Sequence, residues 1–318
     1  MNRTLLAATR ATVTGLSIVL PDDRRRALLR RLRGLEEWNA LRNADAAIVS
    51  YGKSGRTWLR LMLSRFYQQR FELEPGAFLE YDNLNRIDPA IPTVFFTHGN
   101  YLRDYTGHAE SLAEDFGDRP LVLLVRDPRD IAVSQYFQWA HRMHPHKKWL
   151  NRYPPHAAEL SVRDFVCDHE AGLDRALSFL LRWSEALPKC EQALVVRYED
   201  LRAEPQVHLR RVLEFLGAEP RDEEITDAVE FAAFDNMRRL EEQGSVRATG
   251  QRLTPGRRGD TQSYKVRRAK VGGYRDYFDE ETCAALEARV AEVLGPAFGY
   301  TAARATDELG HTGGRTES

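Results

Sequence analysis

The stretch Ile48-Val49-Ser50-Tyr51-Gly52-Lys53-Ser54-Gly55-Arg56-Thr57-Trp58-Leu59 reads as the end of a buried strand, a short glycine-bearing loop and a helix start. Ala46 to Val49 form an apolar run with β-branched members, and Trp58, Leu59, Leu61, Met62, Leu63 and Phe66 resume at helical spacing. The loop therefore sits at a helix N-terminus, where unpaired backbone N–H groups and the positive end of the dipole favour a phosphate or sulfate. Gly55 lets the backbone approach such an anion closely, and Lys53 adds a full charge. A nucleoside-triphosphate loop needs G-x-x-x-x-G-K-[ST], with lysine after the last glycine; here Lys53 precedes Gly55. No apolar strand ends in an aspartate placed to hold magnesium. A lysine and a glycine in an ordinary surface turn is the competing reading of this segment.

Working outward, Leu121-Val122-Leu123-Leu124-Val125 is a continuous apolar run, as expected of a strand in a parallel sheet covered on both faces. Arg126-Asp127-Pro128-Arg129-Asp130 then leads into a helix. Arg126 at the strand end and Ser134, eight residues on, can converge on one oxyanion. Equally, Arg126 can pair with Asp127 or Asp130, and Ser134 can bond its own helix backbone. Thr93 to Gly99 is a strand delivering His98 at its C-terminal end, the edge where open α/β sheets bind ligands. Ala193 to Arg197 is a further strand, running into a polar loop at Tyr198. Near the C-terminus, Val266-Arg267-Arg268-Ala269-Lys270-Val271-Gly272-Gly273-Tyr274 concentrates basic residues and glycines in one loop, suited to another phosphate contact.

Together these segments resemble the sulfotransferases that use 3'-phosphoadenosine-5'-phosphosulfate (PAPS). K-S-G-x-T-W resembles the family's 5'-phosphosulfate loop, R-D-P-R-D-x-x-x-S-x-Y its 3'-phosphate motif, and the segment around 267–274 its R-K-G-x-x-G-x-W stretch. The resemblance implies a three-layer α/β/α, P-loop-like fold with a central, mostly parallel sheet. It assigns Lys53, Ser54, Gly55, Arg56 and Thr57 to the phosphosulfate, Trp58 to adenine stacking, and Arg126, Ser134, Arg267, Arg268 and the backbone at Ala269 to the 3'-phosphate. Tyr198, in V-x-Y-E-D-L, would face the adenosine. Phe234 and Met237, in a segment like the family's S-F-x-x-M, would flank the adenine or else belong to the core. His98 matches the histidine of K-T-H and would take the proton from an acceptor hydroxyl. Lys53 would stabilise charge on the leaving oxygen, with Ser134 restraining Lys53 until acceptor binds. Three departures stand out: Phe96 in place of the K-T-H lysine, Ala269 in place of a glycine, and Tyr274 in place of a tryptophan. Losing the lysine at 96 means that another cation substitutes or that Lys53 carries more of the work.

The reading is thus a PAPS-dependent sulfotransferase that releases adenosine 3',5'-bisphosphate (PAP) and needs no metal. Its rivals are a nucleotide-binding protein without transfer activity and a P-loop kinase or NTPase. The 318 residues, 42% hydrophobic, divide into an N-terminal helical extension (1–44), one sulfotransferase domain (45–300) and a flexible tail (301–318). A net charge of -1 and the lack of nucleic-acid-binding motifs argue against a nucleic-acid partner. Cys167, Cys190 and Cys283, odd in number and far apart, indicate neither a disulfide framework nor a zinc site and fit a cytoplasmic location. No apolar run reaches the ~20 residues that span a bilayer. Residues 22–37 interleave arginines with leucines, as in a solvated helix packed on the domain or one touching an anionic membrane surface. The polar and aromatic segment 137–155 is expected to be a loop or lid bordering the acceptor, with residues 99–118 as a second wall. The acceptor itself, whether phenol, sterol, sugar, lipid or peptide, is open.

Overall fold

The structure, a computed structural model, describes residues 12–74, 78–108, 112–244, 253–257 and 259–301. The chain runs through α1 (Asp22–Arg42), β1 (Ala46–Ser50), α2 (Arg56–Arg70), β2 (Val94–Thr97), α3 (Asn100–Thr106), α4 (Leu112–Phe116), β3 (Leu121–Val125) and α5 (Pro128–His141). It continues through α6 (Pro145–Leu150), α7 (Leu173–Ala186), β4 (Ala193–Arg197), α8 (Tyr198–Ala203), α9 (Pro205–Phe215), α10 (Asp222–Phe231), α11 (Phe234–Gln243) and α12 (Glu280–Leu294).

The apolar runs read as strands pair in parallel in the order β2-β1-β3-β4. Ile48 lies between Phe96 and Val122, and Leu123 pairs with Val195. Because side chains alternate across a strand, each run feeds two cores. Ala47, Val49, Leu121, Leu123 and Val125 pack with α5, α7 and α12 on one face. Ile48, Val122, Leu124 and Val196 pack with α2, α9 and α10 on the other. This is the three-layer α/β/α arrangement, and it explains why β1 and β3 are buried along their whole length. All four strands therefore end on the same edge, where Tyr51, His98, Arg126 and Tyr198 emerge.

Helix α1 is docked by close backbone approach. A Cβ on Gly34 would lie 2.1 Å from the carbonyl oxygen of Tyr101 in α3, so only glycine fits. Several of its arginines are held by the domain. Arg25 and Arg26 stand over the Trp149 ring at 5.3 and 5.2 Å, and Arg30 pairs with Asp104 at 2.7 Å. Arg24 and Arg31 remain exposed. No helix among the described residues is long and apolar enough to cross a membrane.

The segment 137–155 is more ordered than its composition suggested. Its first residues complete α5, and Pro145 opens α6 at a position where its missing N–H costs nothing. Phe137, Trp139, Met143 and Leu150 are buried, and the Lys148 ammonium sits over the Trp139 ring at 4.6 Å. Aromatic anchors at 137 and 139 outweigh the polar residues between them. The tail reading for 301–318 falls, beyond residue 301, outside the described residues.

Candidate active site

The loop after β1 turns through two left-handed residues, Lys53 (φ 76°) and Gly55 (φ 93°), before α2 begins at Arg56. Gly55 is needed twice over: its φ disfavours a side chain, and a Cβ would lie 2.6 Å from the Tyr198 ring. Tyr198 is buried, the Arg126 guanidinium lies 4.3 Å from its ring centroid, and Trp58 meets it edge-on at 6.0 Å. The Trp58 indole N–H donates to the Ala232 carbonyl at 2.9 Å, which fixes that ring. Phe234 and Met237 extend this aromatic wall.

Arg126 ties the three loops together. It donates to the Lys53 carbonyl at 3.1 Å and the Lys270 carbonyl at 3.1 Å, and pairs with Asp130 at 3.4 Å. Asp130 in turn accepts from the backbone N–H groups of Gly272 and Tyr274, both at 2.9 Å, pinning the third loop to the start of α5. Burial pushes the Asp130 carboxyl above its ordinary value, against the pull of Arg126. Arg267 stacks on Phe137 at 3.9 Å and Arg268 pairs with Asp276. Ala269 stands at φ 49°, the left-handed conformation that a glycine would adopt without strain.

His98 leaves β2 with its Nδ1 2.6 Å from the Ser50 carbonyl and its Nε2 2.8 Å from an Arg56 nitrogen. A carbonyl only accepts and a guanidinium only donates, so Nδ1 carries the proton and Nε2 presents its lone pair. Burial first, and the Arg56 charge second, hold the imidazole well below its ordinary pKa. Behind it, Glu37 accepts from Thr97 Oγ1 at 3.1 Å and Leu102 N–H at 3.2 Å, with burial raising its carboxyl to about 7. Lys53 is lowered to about 7 by burial, then by the charges of Arg142 and Arg126. Phe96 supplies no charge: it packs on the α2 face of the sheet beneath Arg60, 3.7 Å from its centroid.

One cleft of about 1560 Å³ gathers nearly all of these groups: Lys53, Gly55, Arg56, Thr57, Trp58, His98, Arg126, Ser134, Tyr198, Phe234, Met237, Arg267, Arg268 and Ala269. Ser54 is the exception. Its side chain is buried away from the cleft and its Oγ has no hydrogen-bond partner among the described residues. Ser134 and Lys53 face the same space without a hydrogen bond between them. The chain has nearly balanced charge, yet among the described residues sixteen Lys and Arg but only four Asp and Glu line the cleft. Anions are the expected occupants.

Sequence reasoning missed the buried brace of Glu241, which accepts from Arg142 at 3.1 Å and from the N–H groups of Lys265 and Val266. A glutamate on a polar helix gives no sign of full burial. The link between Arg56 and His98, 42 residues apart, was also invisible, although the pairing of β1 with β2 makes the two loops neighbours.

The family model described as "Sulfotransferase domain" matches residues 43–296, the span that carries all four strands and the three loops. The chain belongs to the sulfotransferase family. This sulfotransferase is 22% identical over 266 residues to cytosolic sulfotransferase 3 of Arabidopsis thaliana, covering 79% of this chain and 77% of the relative. It is 24% identical over 268 residues to flavonol 3-sulfotransferase of Flaveria bidentis, covering 79% and 82%. Its fold is similar to that of mouse sulfotransferase SULT7A1 complexed with PAP, with TM-score 0.54 and 17% identity, over 83% of this chain and 91% of that one.

Proposed function

We propose that this sulfotransferase moves the sulfonate of PAPS to an acceptor hydroxyl, with His98 as general base and Lys53 stabilising the leaving oxygen. The observation that carries the reading is His98 itself, held neutral with the lone pair of Nε2 directed at the cationic cleft. Fit to the nucleotide is supported by the Gly55–Tyr198 cradle, by a buried Arg126 Nε without a partner among the described residues, and by the PAP bound in the mouse neighbour. PAPS supplies an activated sulfonate; the acceptor oxygen bonds to sulfur as the bond from sulfur to the 5'-phosphate oxygen breaks, and PAP leaves.

His98 Nε2 takes the acceptor proton, which requires Arg56 to turn away from that nitrogen. Released, the Arg56 guanidinium is the nearest cation to the base, so it serves as the charge that Phe96 does not provide. Lys53 and the N–H groups opening α2 meet the negative charge that develops on the bridging oxygen. Arg126, Ser134, Arg267, Arg268 and the backbone at Ala269 hold the 3'-phosphate, and Trp58, Tyr198, Phe234 and Met237 enclose the adenine. The nucleotide half, on this reading, lies within the single domain 45–300.

Calorimetric binding of PAP against AMP, with and without magnesium, tests the site in wild type and in Arg126→Ala. PAP should bind far better, without metal, and lose that advantage in the variant; equal binding would remove the 3'-phosphate assignment. Transfer of labelled sulfonate to any hydroxyl acceptor separates an active enzyme from a nucleotide-binding protein without transfer activity.

A further inference from the structure

The strand order splits the cleft into two ends. Arg126 and Tyr198 leave β3 and β4, whereas His98 leaves β2 at the opposite edge, with the Lys53 loop between them. The end beyond His98 is walled by α1, α3 and α7, none of which carries a nucleotide loop. Arginines reach the cleft from all three.

Two of the arginines at this end show what a structural role looks like here. Arg30 bonds the Leu150 and Asn100 carbonyls and pairs with Asp104. Arg175 bonds the Asn151 and Arg152 carbonyls and pairs with Glu170 at 3.2 Å. The remaining acid, Asp174, is taken by Arg289 at 3.0 Å. The acids that line this end of the cleft are thus committed, and Glu185, exposed on α7, raises Arg182 only by its charge and forms no ion pair with it among the described residues. Arg103 and Arg182 form no hydrogen bond or ion pair through their side chains among the described residues, yet both are half-buried and both face the cleft. Two like charges at one wall are unfavourable unless something negative sits between them. Burial and the Arg103 charge together lower the Arg182 guanidinium to about 10, the direction that such repulsion requires.

We infer that the acceptor carries an anionic group, a carboxylate, phosphate or sulfate, that seats on Arg103 and Arg182 while its hydroxyl faces His98. The inference rests on the sulfotransfer reading above and adds to it a class of acceptor. A planar guanidinium offers paired donors that match the oxygens of such a group, so the pair selects charge as well as shape.

The test uses the full-length protein saturated with PAP, so that the nucleotide contacts are already filled. Acid and neutral pairs are titrated calorimetrically: 4-hydroxybenzoate against its methyl ester, glucuronate against its methyl ester, and glycerol 3-phosphate against glycerol. At least one acid should bind about tenfold or more tighter than its neutral partner, as charge-assisted bonds to two guanidinium groups require. Arg103→Gln combined with Arg182→Gln should erase that preference while PAP affinity stays unchanged. If the double variant does not bind PAP, the two single variants are read the same way. The inference is overturned if no acid outbinds its partner, or if the preference survives the substitutions. Failure of the wild type to bind PAP would instead strike at the nucleotide reading.

Discussion

The Arg56 guanidinium donates to His98 Nε2 at 2.8 Å, so the nitrogen expected to accept a proton is occupied by a cation from the phosphate loop. Loop and base are thereby coupled: an anion that draws Arg56 forward frees the base. On the proposed mechanism, filling the donor site would precede the unmasking of His98.

His98→Asn keeps a donor for the Ser50 carbonyl but removes the lone pair at Nε2. Turnover should fall about 10²- to 10⁴-fold, the usual worth of a positioned base, with PAP affinity unchanged. Unaltered turnover under single-turnover conditions would remove His98 from the chemistry.

Burial and the Arg56 charge hold His98 well below its ordinary pKa, which favours the neutral imidazole. The acid limb of kcat/KM should therefore lie below the ordinary imidazole value of about 6.5. Arg56→Gln removes the largest charge acting on the imidazole, so the limb should move to higher pH, whatever the loss in absolute rate. A limb that stays in place would show that Arg56 does not act on the base.

Burial and the neighbouring Arg142 and Arg126 charges lower Lys53 to about 7, and phosphate oxyanions favour its ammonium form. At pH 8 the free side chain is mostly neutral, so PAP binding should take up a proton; at pH 6 it is already charged and adds little. Affinity should accordingly weaken as pH rises from 7 to 9. Titrations in buffers of unequal ionisation enthalpy measure the uptake, and Lys53→Met should abolish the difference from the nucleotide's own titration.

Gly55→Ala would drive a methyl group into the Tyr198 ring at a backbone angle that alanine resists. We expect destabilisation of about 1–3 kcal/mol and a matching loss of PAP affinity. Ala269→Gly should do the reverse. Relief of the left-handed strain at φ 49° should raise stability by roughly 0.5–1 kcal/mol, read as an increase in Tm.

The apolar runs at 46–50 and 121–125 were legible as strands because both are buried along their whole length, the edge strand at 193–197 because its apolar, β-branched run persists although it is only partly buried, and α12 because Leu286, Val290 and Leu294 repeat at helical spacing. The loop motifs were legible by their resemblance to the sulfotransferase family, which the family match over residues 43–296 bears out at the level of the domain. What sequence could not give were the braces. Asp130 holding two amides of a loop 142 and 144 residues away, or Glu241 buried beneath Arg142, depends on where the chain returns, and neither residue type announces it. The helix at 145–150 was missed because its stability comes from Trp139 and Leu150 packing, which overrides its polar composition.

The strand order β2-β1-β3-β4 has an evolutionary reading. On the proposed reading the nucleotide contacts come from the loops after β1, β3 and β4, whereas the acceptor end is walled by α1, α3 and α7, so positions on that flank other than those that brace it, such as Gly34 and Glu37, can change without touching the nucleotide contacts. A lineage built on this plan can explore new acceptors by remodelling one flank, and exchanging that flank between relatives is a direct route to altered specificity.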